Sequence, residues 1–135
     1  MALLTWNDSI SVKVRQFDDQ HKKLVDLVNK LHDAMKEGKG TQILGDVLKS
    51  LATYTQTHFA DEERVMKQHG FPEYEKHKQE HNKLILQVVD IQKQMDAGKA
   101  PITQAVMQFL RDWLMKHIQG EDKKYGVYLN AKGIS

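Results

Sequence analysis

Residues 74–95 read YEKHKQEHNKLILQVVDIQKQM, and steps of three and four through them pick out Tyr74, His77, His81, Leu84, Val88, Ile91 and Met95. That period places all seven side chains on one face of an α-helix, while charged and amide residues dominate the remainder. The spacing predicts a helix over about 73–97, ended by Gly98, and Gly70, Phe71 and Pro72 predict a turn before it, with Pro72 placed to open the helix. The stripe is apolar at its C-terminal end and carries two imidazoles near its N-terminal end.

Three more stripes are likewise apolar at one end and carry histidine at the other. A helix over about 18–37, opening at Asp18 or Asp19 and broken by Gly38 and Gly40, presents His21, Leu24, Val28, Leu31 and Met35. A helix over about 41–67, with Thr41 as a candidate N-cap, presents Leu44, Val47, Leu51, Tyr54, His58, Glu62 and Val65. A helix over about 101–119, starting at Pro101 or Ile102, carries Val106, Leu110, Trp113 or Leu114, and His117. Residues 1–17 are expected to form an N-terminal arm with Trp6 packed on the helices. Residues 120–135 are expected to be a short helical tail beyond Gly120, through Tyr125 and Tyr128. Short connections make successive helices antiparallel, so the expected fold is all-α: a single domain over 1–135, an up-down-up-down four-helix bundle.

Composition narrows the function. The 135 residues hold no cysteine, which removes disulfides, thiolate metal sites, iron–sulfur clusters and covalently attached haem. Twenty basic and 18 acidic residues are interspersed, leaving no basic stripe for nucleic acid. No apolar run is long enough to span a bilayer, so no membrane insertion is expected. Met1 to Trp6 lack a cationic region followed by an apolar stretch, and a cytoplasmic, monomeric protein is the expectation.

Seven histidines remain, and placement separates them. In an up-down-up-down bundle, the start of the first helix, the end of the second, the start of the third and the end of the fourth share one end. His21, His58 with Glu62, His77 with His81, and His117 occupy those places, within a few turns of one level at about 1.5 Å rise per residue. Residues four apart stack on one helix face, so His58/Glu62 and His77/His81 can each aim two ligands at a point. Packed together without a partner, five imidazoles would leave buried nitrogens unsatisfied at roughly 1–3 kcal/mol each. A metal removes that cost. Imidazole with carboxylate suits iron, zinc or manganese, and the ligands exceed the four a structural zinc takes, so two metals are expected. His32, off the stripe, and His69, in the turn, are expected to face solvent.

The motifs DDQH (18–21), HFADEE (58–63), HKQEH (77–81) and HIQGED (117–122) together resemble the signature of the hemerythrin family, specifically its single-domain bacterial members. The resemblance spans nearly the whole chain. It implies two iron ions, one held by His77, His81 and His117 and the other by His21 and His58. Glu62 and Asp122 would bridge them beside an oxo or hydroxo group. An ideal helix would turn Glu121 inward from His117 rather than Asp122; the resemblance favours Asp122, through a loosened or π-type turn near Gly120.

Such a ligand set fills about eleven of the twelve positions on two octahedral irons, leaving one open on the two-histidine iron. The resemblance implies reversible binding there of dioxygen, end-on and as a hydroperoxide, in an oxygen carrier or store rather than an enzyme. Leu24, Phe59, Trp113, Leu114 and Ile118 match its pocket positions, and a dry wall limits proton delivery. No Glu-x-x-His, the spacing of ferritin-like di-iron oxidases, occurs in the chain. Second-sphere support is expected from Gln20, or from Tyr125 near Asp122. The alternatives are a di-iron peroxidase, oxidase or nitric-oxide-handling enzyme, or an oxygen- or iron-sensing module.

Overall fold

The computed structural model describes residues 4–38, 41–96 and 104–135, and no strand occurs among them. The side chains of residues 41–44, 96, 104 and 105 also lie outside this description. Helix α1 spans Arg15–Lys36, α2 Thr41–Gln68, α3 Tyr74–Asp96 and α4 Gln104–Lys116. A π-helical segment, His117–Asp122, joins α4 directly to α5, Lys123–Ala131. Helix α1 packs on α2 and α4, and α2 packs on α3, giving the antiparallel four-helix bundle that the four stripes predict. The expectations for Thr41 as a cap, Leu44 in the core, Gly98 as a stop and a fourth helix starting at Pro101 or Ile102 fall outside the described residues.

Helix α1 begins three residues before Asp18. Asp18 works from inside the first turn, its carboxylate accepting from the Ser11 hydroxyl at 2.6 Å and the Val12 N–H at 2.8 Å. It therefore ties the arm to the helix instead of capping the helix. At the α2–α3 turn, Gly70 takes φ +69°, and the Phe71 N–H reaches back to the Met66 carbonyl at 2.9 Å. This left-handed closure satisfies an orphan carbonyl, and only glycine adopts it without strain. Pro72 lies in that turn, two residues before α3 starts.

The buried arc of each helix is wider than its stripe. On α1, Val25, His32 and Ala34 are buried beside His21, Leu24, Val28 and Leu31, while Met35 is half-buried. A helix with neighbours on two sides covers more than one seam. His32 is thus buried rather than exposed, and His69 is half-buried, its carbonyl accepting from the Tyr128 hydroxyl at 2.8 Å. On α2 the inward positions run Leu51, Thr55, His58/Phe59, Glu62 and Met66, which leaves Tyr54 and Val65 half-buried.

The arm and α5 close the histidine-bearing end. Trp6 packs there half-buried, but Ile10, Val12, Val14 and Phe17 are the arm's buried anchors. The Asn29 amide exchanges two 2.8 Å hydrogen bonds with the Leu4 backbone. Val12 lies so close to α5 that a Cβ on Gly126 would collide with its carbonyl oxygen. Lys13 is held at φ +61°, and its carbonyl accepts from the Asn130 side chain at 3.0 Å.

Candidate metal centre

All of His21, His58, Glu62, His77, His81, His117 and Asp122 are buried, and they meet in one layer. Two groups of four are compact enough to hold an ion, with ligand atoms within 4.8 Å of one another: His77, His81, His117 and Asp122, and His21, His58, Glu62 and Asp122. Asp122 belongs to both. Its Oδ1 lies 2.9 Å from His77 Nε2 and 3.0 Å from His117 Nε2, and its Oδ2 lies 3.1 Å from His21 Nε2. Glu62 spans the groups the other way, at 3.2 Å from His58 Nε2 and from His21 Nε2, and 3.4 Å from His81 Nε2.

The π segment explains Asp122. One residue added to the turn carries the inward direction from position 121 to 122. Glu121 is partly exposed and pairs with Lys124 at 3.5 Å. Gly120 passes through this segment without interrupting it, so the fourth helix and the tail are continuous.

Among the buried atoms without a hydrogen-bond partner are His77 Nε2, Glu62 Oε1 and Asp122 Oδ1. His81 Nε2 and His117 Nε2 face each other at 3.1 Å, an arrangement in which one nitrogen must carry a proton or both must face a cation. Orphaned inward atoms from imidazoles and carboxylates fit transition-metal ions.

With no metal bound, protons must do that work. Burial alone would lower the pKa of His21, but hydrogen bonds and the charges of Asp122 and Glu62 raise it to about 10. His117 is likewise raised by Asp122 against the effect of burial. Burial and mutual carboxylate repulsion push Glu62 up, and the facing imidazoles more than reverse this, leaving it lowered. Asp122 is lowered too, against burial, by His117, His21 and His77. His81 is lowered, chiefly by burial.

Behind the inward nitrogens lies a second set of contacts. Gln20 Oε1 stands 2.5 Å from His58 Nδ1, and its amide nitrogen donates to Asp61 at 3.0 Å. Glu63 stands 2.9 Å from His81 Nδ1, and Glu80 3.5 Å from His117 Nδ1. Gln20 acts as expected. Tyr125 lies close enough to feel the Asp122 charge, and its hydroxyl donates to Glu62, with its ring buried against that of Phe17. Sequence reasoning missed Glu63 and Glu80, although adjacency was a usable signal: a residue next to a ligand is rotated about 100° around the helix and reaches a neighbouring ligand from behind.

An apolar cavity of about 30 Å³ opens beside the cluster, above the roughly 10–15 Å³ one water-sized molecule needs. Leu24, Phe59, Trp113 and Leu114 line it; Ile118 is buried but is not among its lining residues. Val28, Leu51, Thr55, Leu84, Val88 and Leu110 extend it along the bundle. The Thr55 hydroxyl is spent on the Leu51 carbonyl at 2.7 Å. Phe59 stacks on His81 at 3.7 Å and Trp113 on His117 at 4.4 Å, so the cavity wall rests on two rings of the cluster. No described helix is long and apolar enough to cross a membrane.

Residues 12–129 match the family described as the hemerythrin HHE cation binding domain. The chain is 42% identical to the bacteriohemerythrin of Methylococcus capsulatus over 97% of this chain and 100% of that one. It is 34% identical to the bacteriohemerythrin of Pseudomonas aeruginosa over 93% of this chain and 80% of that one. A wild-type hemerythrin crystal structure superposes with a TM-score of 0.89 at 41% identity, covering 93% of this chain and 96% of that one.

Proposed function

The chain belongs to the hemerythrin family, and from that premise we propose that it binds dioxygen reversibly at a pair of iron ions, as a carrier or store. His77, His81 and His117 would hold one iron, His21 and His58 the other, and Glu62 and Asp122 would reach both. Iron held there would supply two electrons and one open position at which dioxygen binds end-on and is released intact.

One observation carries the reading: a cluster with two compact ligand groups sharing Asp122 lies beside an apolar cavity with room for a small molecule. The chain's residues favour binding over consumption. Leu24, Phe59, Trp113 and Leu114 give the cavity an apolar wall unfavourable to water, and Thr55, the only hydroxyl among its described lining residues, points its proton at its own helix. The proton nearest the cluster from the opposite side belongs to Tyr125 and is held on Glu62. A wall built almost wholly of aliphatic and aromatic side chains slows proton delivery, which disfavours oxygen reduction to released products. The working unit is taken as one chain, since a single bundle supplies every ligand.

The test is an optical spectrum of the anaerobically reduced protein, then in air, then under vacuum. Repeated return to the reduced spectrum supports the proposal. Continuous oxygen uptake in the presence of a reductant, with no recoverable oxygenated form, favours a di-iron oxidase or peroxidase instead.

A further inference from the structure

The two ligand groups are backed unequally. In the three-histidine group, His81 Nδ1–H donates to the Glu63 carboxylate at 2.9 Å, and His117 Nδ1 faces the Glu80 carboxylate at 3.5 Å. In the two-histidine group, His58 Nδ1–H donates to a neutral amide, Gln20 Oε1, at 2.5 Å. The amide's orientation is fixed, because its nitrogen donates to Asp61. His21 Nδ1 is buried and has no hydrogen-bond partner among the described residues. One side therefore has carboxylates behind two of its three imidazoles, and the other has, among the described residues, a single amide.

A carboxylate acceptor draws the ring proton outward and leaves more negative charge on the nitrogen that faces the metal. The imidazole becomes a stronger donor and favours the higher metal charge. A neutral amide orients the ring with much less of this effect. We propose that Glu63, assisted by Glu80, is a positioning residue that makes the three-histidine iron the more easily oxidised of the pair, while Gln20 keeps the two-histidine iron the more easily reduced. In a one-electron oxidation, the electron then passes from the three-histidine iron to an external oxidant such as ferricyanide. No bond breaks, and the shared proton stays between His81 and Glu63.

This inference rests on the di-iron reading, and its test separates the two. Iron-loaded full-length Glu63→Gln is titrated potentiometrically beside the native protein, with iron content measured on both. The amide still accepts the His81 N–H, so two irons per chain are expected to remain. At a fixed potential the reduced-to-oxidised ratio for the first electron should rise about tenfold, a shift of about 59 mV, and Glu63→Asp should restore it. Gln20→Glu should move the second step the opposite way. An unchanged first potential in iron-replete Glu63→Gln overturns the inference and leaves the di-iron reading standing.

Should Glu63→Gln lose iron, the Gln20→Glu shift decides, and no shift there overturns the inference. If the native protein takes up no iron, the functional reading fails and cobalt(II) becomes the probe. Weaker cobalt(II) binding by Glu63→Gln, by about tenfold, then supports the carboxylate's role. Equal affinity, or no binding by the native protein, overturns it.

Discussion

Asp122 Oδ2 lies 3.1 Å from His21 Nε2, which joins the π segment after α4 to the first turns of α1 inside the core. The same carboxylate touches His77 and His117 through its other oxygen. Of the seven cluster residues, it is the only one placed by a departure from regular α-helix.

Asp122→Ala should therefore lower metal content by at least half while the fold persists, because it removes the member both ligand groups share. Glu121→Ala, at the neighbouring position paired with Lys124, should leave metal content unchanged. Metal analysis of both purified variants checks this, and equal losses would mean that Asp122 is not the shared ligand.

Leu114→Ala should enlarge the cavity and admit water. Leu114 is buried on its wall, so the expected stability loss is about 2–5 kcal/mol in denaturant unfolding, with metal retained. The oxygenated form should oxidise irreversibly faster than the native protein. An unchanged rate would show that Leu114 does not control access.

Gly126→Ala should destabilise the arm. The added methyl group meets the Val12 carbonyl, which lies on backbone pinned by Asp18 and cannot move aside cheaply. A cost of about 1–3 kcal/mol is expected, with metal content lost before the bundle unfolds, because Phe17 packs on the His58 and Tyr125 rings. Thermal melts of the loaded and stripped variants measure both effects.

In the metal-stripped protein, His21 is raised from 6.5 to about 10. A raised histidine contributes stability that is fully present below its unfolded value and lost as pH rises through its folded one. The melting temperature of stripped protein should thus fall between about pH 6.5 and 10. Loading should abolish that decline and release protons, because metal replaces the proton on Nε2. A flat profile for stripped protein would contradict the protonated cluster.

Six of the seven cluster residues were legible from helical period alone, since His21, His58, Glu62, His77, His81 and His117 sit on regular stripes at one end of four helices. Asp122 was not, because a 3.6-residue turn presents Glu121 and only an inserted π turn reverses the choice. The arm's anchors were equally hidden: Ile10 ends a short 3-10 helix over Asp8–Ile10, Val12 and Val14 follow it outside any regular helix, and the seat of Val12 depends on Gly126 being bare. His32 was misplaced because one stripe per helix ignores a second neighbour. The outer carboxylates Glu63 and Glu80 belong to solvent-facing positions by period, and only the crossing of helices shows which ring each one reaches.

The most direct measurement of the central claim is native mass spectrometry of the protein reconstituted anaerobically with ferrous iron. Two iron ions per chain in the native protein, falling in His77→Ala and His81→Ala, is the predicted result. A native chain that binds one metal ion or none, or variants that load as fully as the native protein, would contradict it.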